Sequence, residues 1–267
     1  MPSIHLQGFA PDAPTQPLQL PHVWRAQSLA LAAGAVLPSG FAALDAQLPG
    51  GGWPAAGAVE LLQEPGAQHD WRLLLPVLGS LVAQRSGPVV LVGVPQLQVP
   101  QAPGQMPGLM PFGPALAAQG LPPERLLWVQ ADAPAARLWA CEQALRCADV
   151  LAVLAWLPRL TGCAPEALRR LHLGALDHGK PLFLLRPASA RQAASAAPLR
   201  LLLGGVDALE LRIFKRRGPP LMQPLLLAAW PERLAATLAA RRRPAPRVAR
   251  PVVHEEGVYA LARRVAA

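Results

Sequence analysis

Five short apolar runs alternate with amphipathic segments through the middle of the chain. A continuous apolar run of four to eight residues, bounded by Gly, Pro or polar residues, is typical of a strand buried on both faces of a parallel sheet. The runs are 58–62 (AVELL), 87–95 (GPVVLVGVP), 125–131 (RLLWVQA), 149–157 (DVLAVLAWL) and 181–187 (PLFLLRP). This alternation predicts an α/β fold built on a mostly parallel central sheet.

The segments between and after these runs complete the predicted architecture. Helical spacing of apolar residues predicts helices over 70–84, 133–148 and 164–179. Beyond residue 197, three strand-like segments follow one another without intervening helices: PLRLLLGGV, ALELRIFKRRGPP and PLLLAAW. Strands joined by short connections pair as a meander or hairpins, so we expect an antiparallel C-terminal edge on the sheet.

The composition of the chain changes twice and predicts three parts. Residues 1–36 are interpreted as a mobile segment with one short helix, because residues 1–20 are rich in Pro and Gln. Residues 37–230 form the predicted core, with a flexible loop at 96–114 where Pro and Gly recur without periodicity. Residues 231–267 are predicted to be a basic C-terminal extension.

Composition sets the broad class of protein. The 267 residues are 52% hydrophobic and 15% charged, so the chain has enough apolar material for a sizeable core. The N-terminus lacks a basic region followed by an apolar stretch, and no run of about 18 apolar residues occurs, so we expect a cytoplasmic protein without a membrane span. Three cysteines without C-x-x-C spacing favour neither a disulfide framework nor a zinc site.

Positive charge is concentrated in the last fifth of the sequence. Residues 1–214 carry 14 basic and 13 acidic side chains, whereas residues 215–267 carry 11 basic and 3 acidic ones. This asymmetry favours a polyanion or an acidic protein surface as the partner, and a solvated tail that keeps the protein soluble is the alternative. The candidate DNA- or partner-binding residues are Arg212, Lys215, Arg216, Arg217, Arg241, Arg242, Arg243, Arg247 and Arg250.

One segment, 59–75 (VELLQEPGAQHDWRLLL), has the layout of a phosphate-binding loop without its chemistry. A working loop reads G-x-x-x-x-G-K-[ST], in which backbone N–H groups and the lysine hold phosphates and the hydroxyl holds Mg²⁺. Here Gly66 lies in the loop, and the best overlay places His69 on the second glycine, Asp70 on the lysine and Trp71 on the hydroxyl position. An aspartate repels phosphate, so we expect a degenerate loop that binds no cofactor.

The segment preceding this loop, PSGFAALDAQLPGGGWPAAGAVEL (38–61), resembles the RecA family. The matching positions are Gly40, Leu44, Asp45, Gly51, Gly52, Pro54, Gly57, Val59 and Glu60. Together with Trp24-Arg25, LLWV, EQALR and KRRGPP, the ordered set resembles the ImuA family, the RecA-like and sometimes SulA-like proteins of bacterial mutagenesis cassettes. The resemblance covers roughly residues 22–230 and implies a RecA-like fold.

The resemblance also locates a second nucleotide motif, which is degenerate as well. In RecA proteins the strand corresponding to ADVLAVLAW carries a metal-holding aspartate, and that position falls near Leu154. Asp149 begins the strand, at the end opposite to the ligand face. With the lysine, the hydroxyl and the metal ligand all absent, we expect no metal, no cofactor and no ATP hydrolysis.

The basic segment at 215–217 is the next candidate for function. In RecA-type filaments the corresponding segment lies at a subunit boundary and reaches the neighbour's nucleotide, so the resemblance implies that Lys215, Arg216 and Arg217 reach into the site of a true RecA subunit. Contact with DNA phosphate is an alternative, and a solvated strand end is the plainest one. Strand alternation places Lys215 and Arg217 on one side and Arg216 on the other.

The resemblance implies a function in DNA damage tolerance. The expected protein is a non-catalytic assembly or regulatory subunit of an error-prone translesion synthesis (SOS mutagenesis) complex, with an ImuB-like polymerase homologue and an error-prone DNA polymerase as partners and RecA as a further partner. A SulA-like cell-division inhibitor and an ATP-dependent RecA-type DNA-binding ATPase are the alternatives. Trp24 and Trp53 are candidate interface anchors, with half-buried packing as the other interpretation.

Overall fold

A large central sheet organises the chain. The computed structural model describes residues 34–67, 69–95, 113–157, 164–206, 208–219, 221–228 and 240. The strands of these residues are β1 (Val36–Leu37), β2 (Trp53–Pro54), β3 (Gly57–Gln63), β4 (Val89–Val92), β5 (Leu126–Val129), β6 (Ala152–Trp156), β7 (Pro181–Pro187), β8 (Leu199–Gly204), β9 (Leu209–Lys215) and β10 (Leu225–Leu227).

Helices connect and cover these strands. They are α1 (Ala42–Asp45), α2 (His69–Gln84), α3 (Gly113–Ala118), α4 (Pro134–Arg146) and α5 (Ala164–Asp177), with single 3₁₀ turns at Pro123–Arg125 and Ala188–Gln192. The helices predicted over 70–84, 133–148 and 164–179 are confirmed to within two residues at each end. None of the helices in the described ranges is both long and apolar enough to cross a membrane.

The predicted fold class is confirmed. Eight strands form one sheet in the order β10-β9-β8-β3-β7-β6-β4-β5, and β1 and β2 form a separate two-stranded antiparallel pair. The six strands from β8 to β5 run parallel, β9 runs antiparallel to β8, and β10 turns back against β9. This α/β arrangement, with antiparallel pairing at one edge only, is consistent with a RecA-like layout.

Both faces of the sheet are covered, which is why its strands read as unbroken apolar runs. On one face, Val59 and Leu154 join a core cluster with the buried side of α2. On the other, Ala58 and Val153 join a second cluster with residues of α4 and α5. Adjacent strand residues therefore belong to different clusters, as the two-residue period of a strand requires.

Parallel strands give the sheet two chemically different ends. At the carboxyl end, β3 and β6 finish at Gln63 and Trp156. At the amino end, β3 and β8 begin at Gly57 and Leu199. Because β9 is antiparallel, its last residue also lies at the amino end, where Lys215 pairs with Arg200. Loops at the two ends of the sheet therefore face different surroundings.

Several predictions fall on residues outside the described ranges. These include 1–33, most of the loop predicted at 96–114, and 231–267 apart from residue 240. The predicted end of that loop is wrong by two residues, because α3 already begins at Gly113. The chain divides into the units Met1–Ala229 and Trp230–Ala267, and the architecture above belongs to the first.

Candidate functional site

The predicted strand, loop and helix of the phosphate-loop segment are all present. β3 ends at Gln63, and α2 begins at His69 after a loop that turns at Gly66. Gly66 has a φ of 82°, in the left-handed region that glycine adopts without strain. The loop therefore opens on the N-terminus of a sixteen-residue helix, which is the backbone setting of an anion site.

The first N–H groups of α2 are bonded within the chain. The side-chain carbonyl of Gln63 accepts hydrogen bonds from the backbone N–H of His69 at 3.1 Å and of Asp70 at 3.3 Å. A carboxylate oxygen of Asp70 accepts the N–H of Trp71 at 2.9 Å. These are the donors that a phosphate loop turns toward its ligand. Two side chains of this protein occupy them instead.

Asp70 is held as a buried carboxylate. Its second oxygen accepts the indole N–H of Trp156 at 3.1 Å, and the residue is only 3% exposed. Burial raises the pKa of Asp70 to about 6, although hydrogen bonds from Trp71, Trp156 and Gln63 act in the opposite direction. At pH 7 the chain thus places its own anion at the helix N-terminus, where the helix dipole favours negative charge.

Two tryptophans enclose this carboxylate. The rings of Trp71 and Trp156 lie 5.8 Å apart between centroids at an interplanar angle of 31°, and each residue is 8% exposed. Leu154, the position expected for the second nucleotide motif, lies within β6 and packs in the core at 1% exposure. The side chain that β6 brings to the loop is Trp156, two residues further along the same face.

His69 supplies no positive charge to the loop at neutral pH. Desolvation lowers the pKa of this histidine, and the nearby Arg72 guanidinium lowers it further. Its Nδ1 atom is buried without a hydrogen-bond partner. The imidazole is therefore neutral at pH 7, and it cannot replace the lysine of a working loop.

Gln63, Trp156 and Arg137 were missed at the level of sequence. The Nε of Arg137 donates to the carbonyl of Ala131, and one terminal nitrogen donates to the carbonyl of Trp156, each at 2.6 Å. The guanidinium lies so close to Gly93, whose φ is 66°, that a Cβ there would stand 2.6 Å from Arg137 Nε. In the sequence, Gln63 and Trp156 stand out as a polar and an aromatic residue at the ends of apolar strands. That position does not show which residues they contact.

The basic segment lies at the amino end of the sheet, away from the phosphate loop. The Lys215 ammonium donates to the carbonyl of Ser195 at 2.8 Å. Arg216 donates to the carbonyl of Gln47 at 2.5 Å, whereas Arg217 lies beside His172 on α5. Lys215 and Arg217 both lower the pKa of His172. Because β9 ends at Lys215, the strand alternation predicted for Arg216 and Arg217 does not apply to them.

The remaining candidate residues divide into three groups. Arg212 is exposed and pairs with Glu210 at 2.7 Å on β9. The expectation that Trp53 is an exposed interface anchor is wrong. This residue is fully buried and packs edge-on against Phe183, with ring centroids 5.7 Å apart. Trp24, Arg241, Arg242, Arg243, Arg247 and Arg250 lie outside the described residues.

The residues on which the resemblance to the RecA family rests have packing and bonding roles in this fold. Asp45 Oδ1 accepts the backbone N–H of Ser39 at 2.9 Å and fixes the turn before α1. Gly40 has a φ of 85° and lies against Pro76 of α2, where a Cβ would collide with the proline ring. Gly57 leaves room for the imidazole of His172 at the start of β3. These residues join the N-terminal turn and β3 to the helices.

Glu60 lies at the centre of a buried ion cluster. It is fully buried in β3 and pairs with Arg186 of β7 at 3.1 Å and with Arg200 of β8 at 2.6 Å. The Ser195 hydroxyl donates to the same carboxylate at 2.7 Å. Arg200 also lies over the ring of Phe214, 4.9 Å from its centroid. The cluster ties three neighbouring strands and the segment before β8 together.

The chain matches no protein-family model, and no curated protein is significantly similar to it. Across the described ranges, no group of three or more His, Cys, Asp or Glu residues is arranged to hold a metal ion. The carboxyl end of the sheet thus combines an anion-site backbone with an internal carboxylate, two packed indoles and a neutral histidine.

Proposed function

We propose that this protein is a non-catalytic RecA-like subunit that assembles or regulates an error-prone translesion DNA synthesis complex. One observation supports the non-catalytic part above all. The N–H groups of His69, Asp70 and Trp71 are bonded by the side chains of Gln63 and Asp70. A phosphate would have to displace both side chains and would meet the charge of Asp70 instead of a lysine.

The position of the basic segment supports action on another molecule. Lys215, Arg216 and Arg217 lie at the end of the sheet opposite to the chain's own phosphate loop. They are therefore suited to contact a partner, and the resemblance to the ImuA family suggests which one. We propose an ImuB-like polymerase homologue and an error-prone DNA polymerase as partners, with RecA as a further partner and DNA phosphate as an additional contact.

Restoring one missing group should not restore ATPase activity. We expect the Asp70→Lys variant, like the natural chain, to release no phosphate from ATP and Mg²⁺, because Trp71 still occupies the hydroxyl position and Trp156 still closes the site. Phosphate release at saturating ATP, with and without single-stranded DNA, measures this. Turnover that depends on the new lysine would contradict the proposal. A circular dichroism spectrum of the variant shows that it is folded.

Co-purification tests the assembly role. We expect the full chain to co-purify with the ImuB-like homologue encoded in the same genome, and a chain ending at Ala240 to retain its melting temperature but bind at least about tenfold more weakly at physiological salt. Replacing only the five arginines between 241 and 250 by glutamine is the matched control for charge. Capture of the division protein FtsZ in place of the polymerase homologue would favour the SulA-like alternative, and capture of neither would contradict the assembly role.

A further inference from the structure

An apolar cleft opens at the amino end of the sheet, beside the basic segment. Its volume is about 330 Å³, at the lower end of the range for small-ligand sites and enough for one large side chain with its flanking backbone. It lies between the β1–β2 pair, the last turns of α5 and the start of β8. The lining residues that matter here are Val36, Pro54, Ala55, His172, Leu176 and Arg217.

The polar side chains of the cleft, Arg217 and His172, can each donate a hydrogen bond to a ligand. Arg217 is exposed and makes no hydrogen bond or ion pair with the described part of the chain. The Nδ1 of His172 accepts the backbone N–H of Ala58 at 3.0 Å, so Nε2 is the nitrogen that bears the proton. Burial lowers the pKa of His172, and Arg217 and Lys215 lower it further, so the imidazole is neutral at pH 7. No carboxylate lies among the lining residues that the structure describes.

Apolar walls beside Arg217, which has no partner among the described residues, indicate the chemistry of the occupant. Leu176 is 45% exposed although it lines a concave surface, so covering it would remove apolar area from water. Arg217 adds a guanidinium that can bind a carboxylate through two parallel hydrogen bonds. A complementary ligand therefore joins an apolar group to a carboxylate over the length of a few residues, as an acidic peptide does.

We propose that this cleft docks an acidic peptide segment of a partner protein, with one apolar side chain in the cleft and a neighbouring carboxylate on Arg217. The proposal rests on the assembly function proposed above and adds the chemistry by which a partner is recognised. A peptide is favoured over nucleic acid because the walls are proline, alanine, valine and leucine side chains, whereas a phosphate backbone requires several cations along an open groove.

A peptide array tests the chemistry of the occupant. The probe is a set of ten-residue peptides that place Phe, Leu, Met or Trp at the centre of aspartate and glutamate residues at all spacings. We expect the full chain to bind a subset of these peptides, and to lose at least about tenfold in affinity when alanine replaces the central residue or amides replace the acids. Failure of every acidic peptide to bind, or binding that ignores the central residue, would overturn the proposal.

Paired variants test whether the peptide binds in the cleft. Leu176→Glu and Arg217→Glu should each weaken binding of the selected peptide by about tenfold or more. The control for Leu176→Glu is Leu173→Glu, at a residue of the same helix that is 40% exposed but lies outside the cleft. The control for Arg217→Glu is Arg169→Glu, which makes the same charge change on an exposed side chain. Both control variants should bind the peptide within about twofold of the natural chain. Equal losses in the cleft variants and their controls would place the peptide elsewhere.

His172 provides a readout that does not depend on affinity. A carboxylate bound beside it should raise the pKa of His172 from its depressed value, which the imidazole proton resonances report in a pH titration with and without peptide. Displacement of the peptide by a single-stranded oligonucleotide that itself raises the pKa of His172 would assign the surface to nucleic acid instead. Co-purification with the polymerase homologue is scored separately, so failure of the cleft and failure of the assembly role give different results.

Discussion

Replacing Glu60 by alanine should lower the free energy of unfolding by about 3–5 kcal/mol, which is a large part of the roughly 5–15 kcal/mol expected for a whole domain. The reason is that two buried arginines would lose the carboxylate that pairs with them. Arg186 and Arg200 are nearly fully buried, and both point their guanidinium groups at the Glu60 carboxylate. Without it, two cations remain in a medium of low polarity, and Arg186 already has one buried nitrogen without a partner.

Urea unfolding followed by tryptophan fluorescence measures this loss, because Trp53, Trp71 and Trp156 are all buried. Glu166→Ala is the matched control, since its ion pair with Arg169 spans 3.5 Å between two side chains that are more than 60% exposed. That control should cost no more than about 0.5 kcal/mol. If Glu60→Ala cost as little as the control, the cluster would not stabilise the sheet. Glu60→Gln, which keeps the shape but removes the charge, should fall between the two.

The second large effect is a pH dependence that Asp70 imposes on stability. Because burial raises the folded-state pKa of Asp70 to about 6 from an ordinary 3.8, the folded chain holds a proton that the unfolded chain has lost. The stability due to this carboxyl group is complete below its unfolded pKa and is lost as the pH rises through about 6. The difference between the two pKa values corresponds to about 3 kcal/mol.

Comparison with Asp70→Asn isolates this contribution. The variant keeps the size of the side chain but does not titrate, so the stability of the natural chain relative to it should fall by about 2–3 kcal/mol between about pH 4 and about pH 7. Urea midpoints across that range measure the change. Asp177→Asn removes an exposed carboxylate of α5 and should give a curve parallel to that of the natural chain. A flat difference between Asp70→Asn and the natural chain would mean that water reaches the Asp70 carboxylate.

Both experiments examine which internal contacts stabilise the sheet and the N-terminus of α2. In a working site, bound phosphate satisfies the helix N-terminus. In this chain, the Gln63 amide and the Asp70 carboxylate satisfy it, and Trp156 closes over the carboxylate. These two side chains therefore make hydrogen bonds that a bound phosphate would otherwise make at the helix N-terminus. This suits a protein whose proposed role is to present surfaces rather than to switch with ATP.

The fold was accessible from sequence because its signals are local. Runs such as VVLVG and AVLAW are apolar throughout because both faces of a parallel strand are covered. Consecutive residues of such a strand must therefore all be apolar, and this pattern is visible in the sequence. The antiparallel C-terminal edge follows from strands joined without helices. The absence of lysine at position 70 was visible for the same reason, since the chemistry of a phosphate loop depends on residues that are adjacent in the chain.

The long-range partners of Asp70 and Glu60 could not be inferred in this way. Asp70 and Trp156 are 86 positions apart, and Glu60 and Arg200 are 140 apart, so only the pairing of β3 with β7 and β8, and of β6 with β7, decides that they meet. Trp53 illustrates the same limit: a tryptophan in a glycine-rich turn has the local sequence of an exposed anchor, but Phe183 on a distant strand buries it. The sequence alone determined the layers of the fold and the aspartate at the position where a phosphate loop would carry lysine, because strand and helix periodicity and a loop motif are properties of neighbouring residues. Only the tertiary structure decided which side chains fill the helix N-terminus, which charges share the core and where a cleft remains, because burial and partnership depend on residues brought together from distant parts of the chain.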